Sequence, residues 1–420
     1  MKNETSAAPS ARRASGLAFA LTAGVIGLCL AASAMPSPLY KLYAATWHLQ
    51  TSTVTLIYAT YCFGVLVSLL VFGRVSDSWG RRPVILLGLL GLLASMVIFM
   101  VAGGEAWLFA ARAVQGLATG IAISAAGAAL LELYQGGNPA KASLYNVVAS
   151  ALGVGVGGLL GAVLVQYAPG PLVTPFIVLA ALIVLLLLGM LTVPETVTGA
   201  SRTGFRIAAP GVPRQIITPF TLAVLGITCA WSIIGIYLGL VGTLAPALLH
   251  TKSSLAAGLA ILALGGTSAV PPLLTQRMAP AVQIVWGSVA LTGGIALMAW
   301  SLANETAAGF ITASVIIGVG VGFGMFGSLR TVGAAAPPDR RAQVMAAFYL
   351  VAYAAISLPA IAAGFTVRLL GATQTFQVFG MGIIVVSLGT LALAAARQRA
   401  ATRAAVAPAG AVQGAAGRAS

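Results

Sequence analysis

The chain has 420 residues, 59% of them hydrophobic and only 7% Asp, Glu, Lys or Arg, with a mean hydropathy of +1.01. Soluble domains carry about 25% charged residues, so a water-soluble enzyme or binding module is excluded and lipid must solvate most of this surface. The formal net charge of +15 does not indicate nucleic acid, because the basic residues stand singly between apolar runs and form no stripe with interleaved aromatics.

Cys29, Cys62 and Cys229 all lie inside apolar runs, which reads as small core residues rather than disulfides or metal ligands. His48 and His250 fall in polar connectors. No metal or cofactor site is expected.

A spanning helix needs about 20 mostly apolar residues. With charges, Pro and Gly as punctuation, the sequence predicts twelve spans. They lie near 17–35, 54–72, 84–102, 107–131, 144–167, 173–193, 219–242, 255–274, 282–302, 308–329, 342–367 and 374–396. Span one follows Lys2, Arg12 and Arg13 and ends in "AASA", in the manner of a signal peptide. The apolar core of a signal peptide runs about 7–15 residues; this one is longer and is read as a retained helix.

Between spans two and three stands "GRVSDSWGRRPV", residues 73–84, which concentrates charge as no other turn does. Gly73 and Gly80 let the backbone turn tightly. Asp77 can accept from N–H groups at a helix start or sit against a helix N-terminus in the other half. Arg81 and Arg82 can grip lipid phosphates or helix-end carbonyls. The cluster reads as a conformational latch; a plain positive anchor explains the arginines but not Asp77.

Arg112 lies five residues into span four, about 8 Å below the boundary. A central Arg costs about 2.5–3.5 kcal/mol on insertion scales. Gln115 and Gly116 share its helix face one turn inward. Arg112 either snorkels to the interface or faces the interior. In span five, Gly153, Gly157 and Gly161 recur every fourth residue, a spacing that lets helices pack closely.

The longest connector, 194–218, divides the spans six and six. This is the layout of a transporter built from repeated units. It gives a cytoplasmic tail at 1–16, a six-helix bundle at 17–193, a linker at 194–218, a second bundle at 219–396 and a disordered tail at 397–420. Candidate cavity-lining residues are Tyr58, Tyr61, Asn146, Trp231, Tyr237, Phe323, Tyr349 and Tyr353, since a Tyr in lipid wants a partner for its hydroxyl. For each, ordinary helix packing is an equal reading.

Eighteen Lys and Arg fall on the side of the two termini, and only Lys41, Lys252 and Arg368 on the other. The positive-inside bias places both termini in the cytoplasm and accounts for the net charge through contact with membrane lipids. No acid lies near a span's midpoint, which points to a neutral, apolar or anionic cargo rather than a cation.

The turn at 73–84 resembles the signature G-x-L-x-D-x-x-G-R-R of the major facilitator superfamily. Gly73, Asp77, Gly80, Arg81 and Arg82 match it, with Val75 in the Leu position. "LFAARAVQGLATG" resembles that family's fourth-helix motif through Leu108, Arg112, Gln115 and Gly116. "GVGVGGLLGA" resembles the pattern of its drug:proton antiporter branch, with Gly158 in place of Pro and Ala162 in place of the last Gly. The resemblance implies an all-α integral membrane protein of twelve helices in two pseudo-symmetric six-helix bundles, the major facilitator fold. It also implies Arg112 at a central cavity, linked to coupling or substrate. The function expected is secondary transport of a small molecule by alternating access, as proton-coupled efflux of a drug-like compound. A proton-independent facilitator or a proton symporter for uptake is the alternative. The protein is expected to act as a monomer in a bacterial inner membrane, with the proton as coupling ion. No nucleotide-binding motif or catalytic cluster supports an enzyme.

Overall fold

In lipid each backbone N–H must find its acceptor within its own segment, and a helix achieves this. The computed structural model, which describes residues 9–72, 75–134, 139–196, 211–250, 253–337 and 340–406, is accordingly helical with no strand among the described residues. In chain order the helices are α1 (Pro9–Ala34), α2 (Tyr40–Trp47), α3 (Thr51–Phe72), α4 (Val75–Trp79), α5 (Arg81–Met100), α6 (Glu105–Leu133) and α7 (Pro139–Tyr167). There follow α8 (Thr174–Met190), α9 (Ile217–Leu248), α10 (Leu255–Ser268), α11 (Val270–Leu274), α12 (Pro280–Ala303), α13 (Ala307–Ala335) and α14 (Arg341–Val406). Gly73 and Arg74 of the charged turn, 197–210 of the connector and 407–420 of the tail lie outside the described residues.

Among the described residues, ten helical stretches are long and apolar enough to cross a membrane. Helix α8 has 17 residues, about 26 Å at 1.5 Å per residue. The 66 residues of α14 contain a break at Gly371, with φ 78° and ψ 170°. This backbone conformation suits glycine and no β-carbon-bearing residue. The chain reverses there: Gly364 and Arg368 meet the start of α3, and then Gln377 and Gly380 run back along α12 from Ala299 to Ile295. The expected tails are partly helical. Helix α1 already begins at Pro9 and α14 continues to Val406, because the Ala- and Arg-rich segment after Leu393 has high helix propensity.

The two halves repeat one packing scheme. In the first, α5 and α3 pack on α6, α1 packs on α6 and α7, and α5 packs on α8. In the second, α12 and α10 pack on α13, α9 packs on α13 and α14, and α12 packs on α14. The halves meet along two seams, α7 on α10 and α3 on α14. Outside, Leu185, Val385 and Leu369 are among many exposed apolar side chains; apolar surface on this scale belongs in lipid.

Small residues allow these contacts. A Cβ on Gly153, Gly157 or Gly161 would stand 2.2, 2.3 or 2.4 Å from the carbonyl oxygens of Gly27, Ala31 and Met35 on α1 and just beyond it. The other face of α7 meets α10, where a Cβ on Gly158 would stand 2.5 Å from Ile261 and one on Gly258 2.3 Å from Ala162. The span-five glycines thus seat α1, and the two positions that depart from the antiporter pattern form the seam between halves.

Gly157→Leu is expected to lower the stability of the detergent-solubilised protein by about 1–3 kcal/mol, as overpacking does. Gly239→Ala, where nothing lies within 4 Å of the added carbon, serves as the control and is expected to change stability by less than about 0.5 kcal/mol. Thermal or denaturant unfolding reads both.

Candidate functional site

A cavity of about 90 Å³ lies where the halves meet. Seven helices supply its wall at helical spacing: Leu30 and Ser33 from α1, Tyr58, Tyr61 and Cys62 from α3, and Val147, Ser150, Ala151 and Val154 from α7. The second half supplies Trp231, Ile234 and Leu238 from α9, with further residues of α10, α13 and α14 that include Ser268, Met325 and Tyr353. No Asp, Glu, Lys, Arg or His is on this wall. Trp231 and Tyr353 meet edge to face, with centroids 4.8 Å apart at 90°.

Four of the candidate lining residues, Tyr58, Tyr61, Trp231 and Tyr353, stand on this wall. The other four are placed elsewhere. The Tyr237 hydroxyl is shared with Ser314 at 2.7 Å and lies 3.2 Å from the Ala260 carbonyl, which ties α9 to α13 and α10. Tyr349 packs on Phe348. The Asn146 amide lies against Gly127 of α6, and Phe323 is half-buried off the wall. Ser33, Cys62, Ser150 and Ser268 were not anticipated. Their signal is spacing alone: Val147, Ser150, Ala151 and Val154 recur at three and four residues and so share one face.

Arg112 does not line the cavity. It is fully buried one layer behind, and neither snorkels nor meets an open space. Its Nη1 donates to the Ser33 carbonyl at 3.2 Å and to Gln115 Oε1 at 2.7 Å, and its Nη2 to the Tyr40 hydroxyl at 2.5 Å. Gln115 Nε2 in turn donates to the Ala32 carbonyl at 2.9 Å. Both carbonyls are free because of "AMPSP" after α1. Pro36 has no N–H to offer Ala32 four residues back, and the Ser37 N–H bonds Ala34 instead, at 3.0 Å. The last carbonyls of a helix carry partial negative charge, so the end of α1 serves where a carboxylate counter-ion is missing. Burial raises the Tyr40 hydroxyl above its ordinary pKa, so this partner is a neutral phenol. The rings of Tyr40 and Tyr61 each lie 5.5 Å from the guanidinium, within cation–π range. Gly116 is a packing residue: a Cβ there would stand 2.3 Å from the Tyr61 carbonyl of α3.

The charged turn is bonded differently from expectation. Asp77 Oδ1 takes a 2.5 Å bond from Arg81 Nη1, four residues on. The start of α5 is capped by Glu195, past the end of α8, which accepts from the Arg81 and Arg82 N–H groups at 2.8 and 3.0 Å. These are orphan donors of the first helical turn, and Pro83 removes a third. Gly80 sits there with φ 95°, and a Cβ on it would stand 2.6 Å from the Glu195 carboxylate. The rest of the Arg81 guanidinium bonds Ser76 and Glu132, the latter at 2.9 and 3.1 Å. Arg82 grips the Leu191 carbonyl at 2.5 Å. These bonds lock α4, α5, α6 and α8 of the first half together. In the second half the polarity is exchanged: Arg330 of α13 reaches the Met278 carbonyl and Gln283 of α12, at 2.9 and 3.1 Å.

At the opposite end of the molecule, polar groups tie one half to the other. Arg368 of α14 donates to Gln50 and Ser52 at the start of α3. Gln166 of α7 accepts from the Ser254 N–H at 3.1 Å and from Ser253 at 3.3 Å, ahead of α10. A Cβ on Gly364 would lie 2.4 Å from that of Thr55. Both seams are closed at this Gln50 end.

Two alike halves that enclose an apolar cavity between them, one end drawn shut, define a membrane transporter. A family model of the Major Facilitator Superfamily matches residues 22–360, and the chain belongs to that family. It is therefore a multi-pass membrane protein that carries a small molecule, not an enzyme. The crystal structure of the human organic anion transporter MFSD10 (TETRAN) is similar, with a TM-score of 0.66, over 90% of this chain and 99% of that one. At 18% identity this likeness speaks for the fold alone. No curated protein sequence matches the chain.

Arg368→Ala removes charge-assisted bonds worth about 1.5–3 kcal/mol each. It is expected to raise the rate at which an impermeant maleimide, confined to the Gln50 side, alkylates Cys62. A loss of about 1.4 kcal/mol from the closed state gives about tenfold. Arg368→Lys should fall between. The rates are measured in a chain whose other two cysteines are replaced by Ala.

Proposed function

We propose that the protein is a secondary transporter of twelve spans that works by alternating access, exporting an uncharged or weakly polar drug-like molecule in exchange for protons. The observation that carries this reading is the apolar cavity between the halves, shut at the Gln50 end. The basic residues gathered at the Arg81 end support a cytoplasmic position for that end and for both termini, in a bacterial inner membrane, with anionic lipid around it. An exporter would load from that side, where Leu144 and Val147 of α7 pack against Phe326 of α13 between the halves. A bilayer already passes small apolar molecules, so moving one through a protein is useful only when the movement is uphill. One proton crossing 100 mV releases about 2.3 kcal/mol, enough for a gradient of about 50-fold. Asp77, Gly80, Arg81 and Arg82, with Gly73, would hold the loading end of the first half as one body while the halves rock. Arg112 would act on coupling from behind the wall, through Ser33 and Tyr61.

A second reading is a proton-independent facilitator, or a proton symporter for uptake. It is favoured by the acids: Asp77, Glu105, Glu132, Glu195 and Glu305 all stand at helix ends or in connectors, and none is on the cavity wall. An anionic cargo is the class for which the human MFSD10 transporter is named, but the one guanidinium near the cavity, Arg112, is fully buried behind the wall. The two Nη groups are already bonded, which favours an uncharged cargo. Monomeric action is proposed with either reading.

Sealed proteoliposomes with an imposed pH gradient and an internal pH dye test this. Neutral compounds from a panel are expected to trigger proton movement in the wild type, and Arg112→Ala to lose it by at least about tenfold, as removal of a group acting in the coupled step would. Compound flux without proton flux establishes the facilitator instead.

A further inference from the structure

We propose that Trp231 is the hydrogen-bond donor that selects the cargo. The cavity is then a site for a flat, uncharged, mostly apolar molecule that carries one carbonyl-type acceptor. This rests on the transporter reading and names the substrate class of the same site.

The indole of Trp231 is part of the cavity wall, yet its Nε1 is buried and has no acceptor among the described residues. Native proteins pair nearly all such groups, and an exception calls for a reason. A ligand acceptor entering the adjacent cavity supplies one. Several other polar groups of the wall are bonded within the protein. Ser268 donates to the Gly265 carbonyl at 2.7 Å, Tyr61 is bonded to the Ser33 side chain, and the Ser33 carbonyl is held by Arg112. Trp231 Nε1 is the wall atom among the described residues that is both fully buried and without an acceptor.

The shape of the cargo follows from the aromatic walls. Tyr58 and Tyr61 come from the first half and Trp231 and Tyr353 from the second. Aromatic faces and edges on both sides favour a planar ring, which gains from offset or edge-to-face contact. Its charge follows from the absence of any Asp, Glu, Lys, Arg or His on the wall, since an ion placed there would lose its hydration without a partner. Because the donor and half of the stacking surface lie across the seam from Tyr58 and Tyr61, only the assembled cavity recognises the molecule.

The test uses the full chain in nanodiscs, with Cys29 and Cys229 replaced by Ala and Cys62 kept in the wall. A bound molecule slows alkylation of Cys62 by N-ethylmaleimide. The probes are 1-indanone, indane and indane-1-carboxylate, which share one bicyclic frame. Indanone is expected to protect Cys62 at about tenfold lower concentration than indane, the ratio for one hydrogen bond of about 1.4 kcal/mol. Trp231→Phe should erase that difference while indanone and indane both still protect, which also shows that the variant keeps its cavity. The carboxylate should protect least. Equal protection by indanone and indane in the wild type overturns the proposal, and does so whether or not Trp231→Phe folds. So does a difference that survives in Trp231→Phe, which would mean that another group of the wall is the donor. Protection by the carboxylate above the others, or by none of the three, also overturns it. Occupancy is read without transport: protection with no flux in proteoliposomes defeats the transporter reading alone, and flux with equal protection defeats this one alone.

Discussion

A guanidinium buried in an apolar bundle must be held, and the way Arg112 is held organises the first half. Its partners are the carbonyl end of α1, an amide on its own helix and the phenol at the start of α2. Pro36 makes this possible by ending α1 with carbonyls to spare. The cation thus pins α1, α2 and α6 together immediately behind the cavity. It reaches the wall only through Ser33 and Tyr61. A carboxylate partner would have made an ordinary buried salt bridge; the helix end offers partial charge without a second titrating group.

Around that anchor, the fold is one packing scheme used twice. Backbone-to-backbone approach at α1 and α7 in the first half has a counterpart in the second, where a Cβ on Gly235 of α9 would stand 2.4 Å from the Ile356 carbonyl of α14. In lipid there is no hydrophobic drive between helices, so close packing and polar ties do the work. The seams between halves combine both. Gly158 and Gly258 let α7 and α10 touch, and Arg368 and Gln166 fasten the Gln50 end. Contacts of a few polar groups over small residues suit surfaces that must part and meet again.

The long helices were legible because their cause is local: a run of apolar residues long enough for the bilayer, punctuated by charge and Pro. Even the break in α14 was marked, by the gap between the runs that end at 367 and begin at 374. The residues of the charged turn were legible too, but their partners were not. Glu195 is 114 residues from Arg81 and Glu132 is 51, and nothing in either neighbourhood announces the other. Glu195 caps α5, a role expected of Asp77, because the end of α8 arrives at the start of α5, a fact of tertiary packing. Tyr237 and Tyr353 look alike in sequence. Burial against Ser314 makes one a strut, and position on the seam makes the other a wall. Arg112 was visible as a costly charge, while its distance behind the cavity depended on carbonyls freed far earlier in the chain by Pro36.

The central claim is that the halves part at the Gln50 end during each cycle. It is tested by placing cysteines at Gln50 and Arg368 in a chain free of its own three, and joining them with a short reducible bis-thiosulfonate linker. The account predicts that substrate flux in proteoliposomes stops when the linker is in place and returns on reduction. Flux that continues while the two positions stay joined would contradict it.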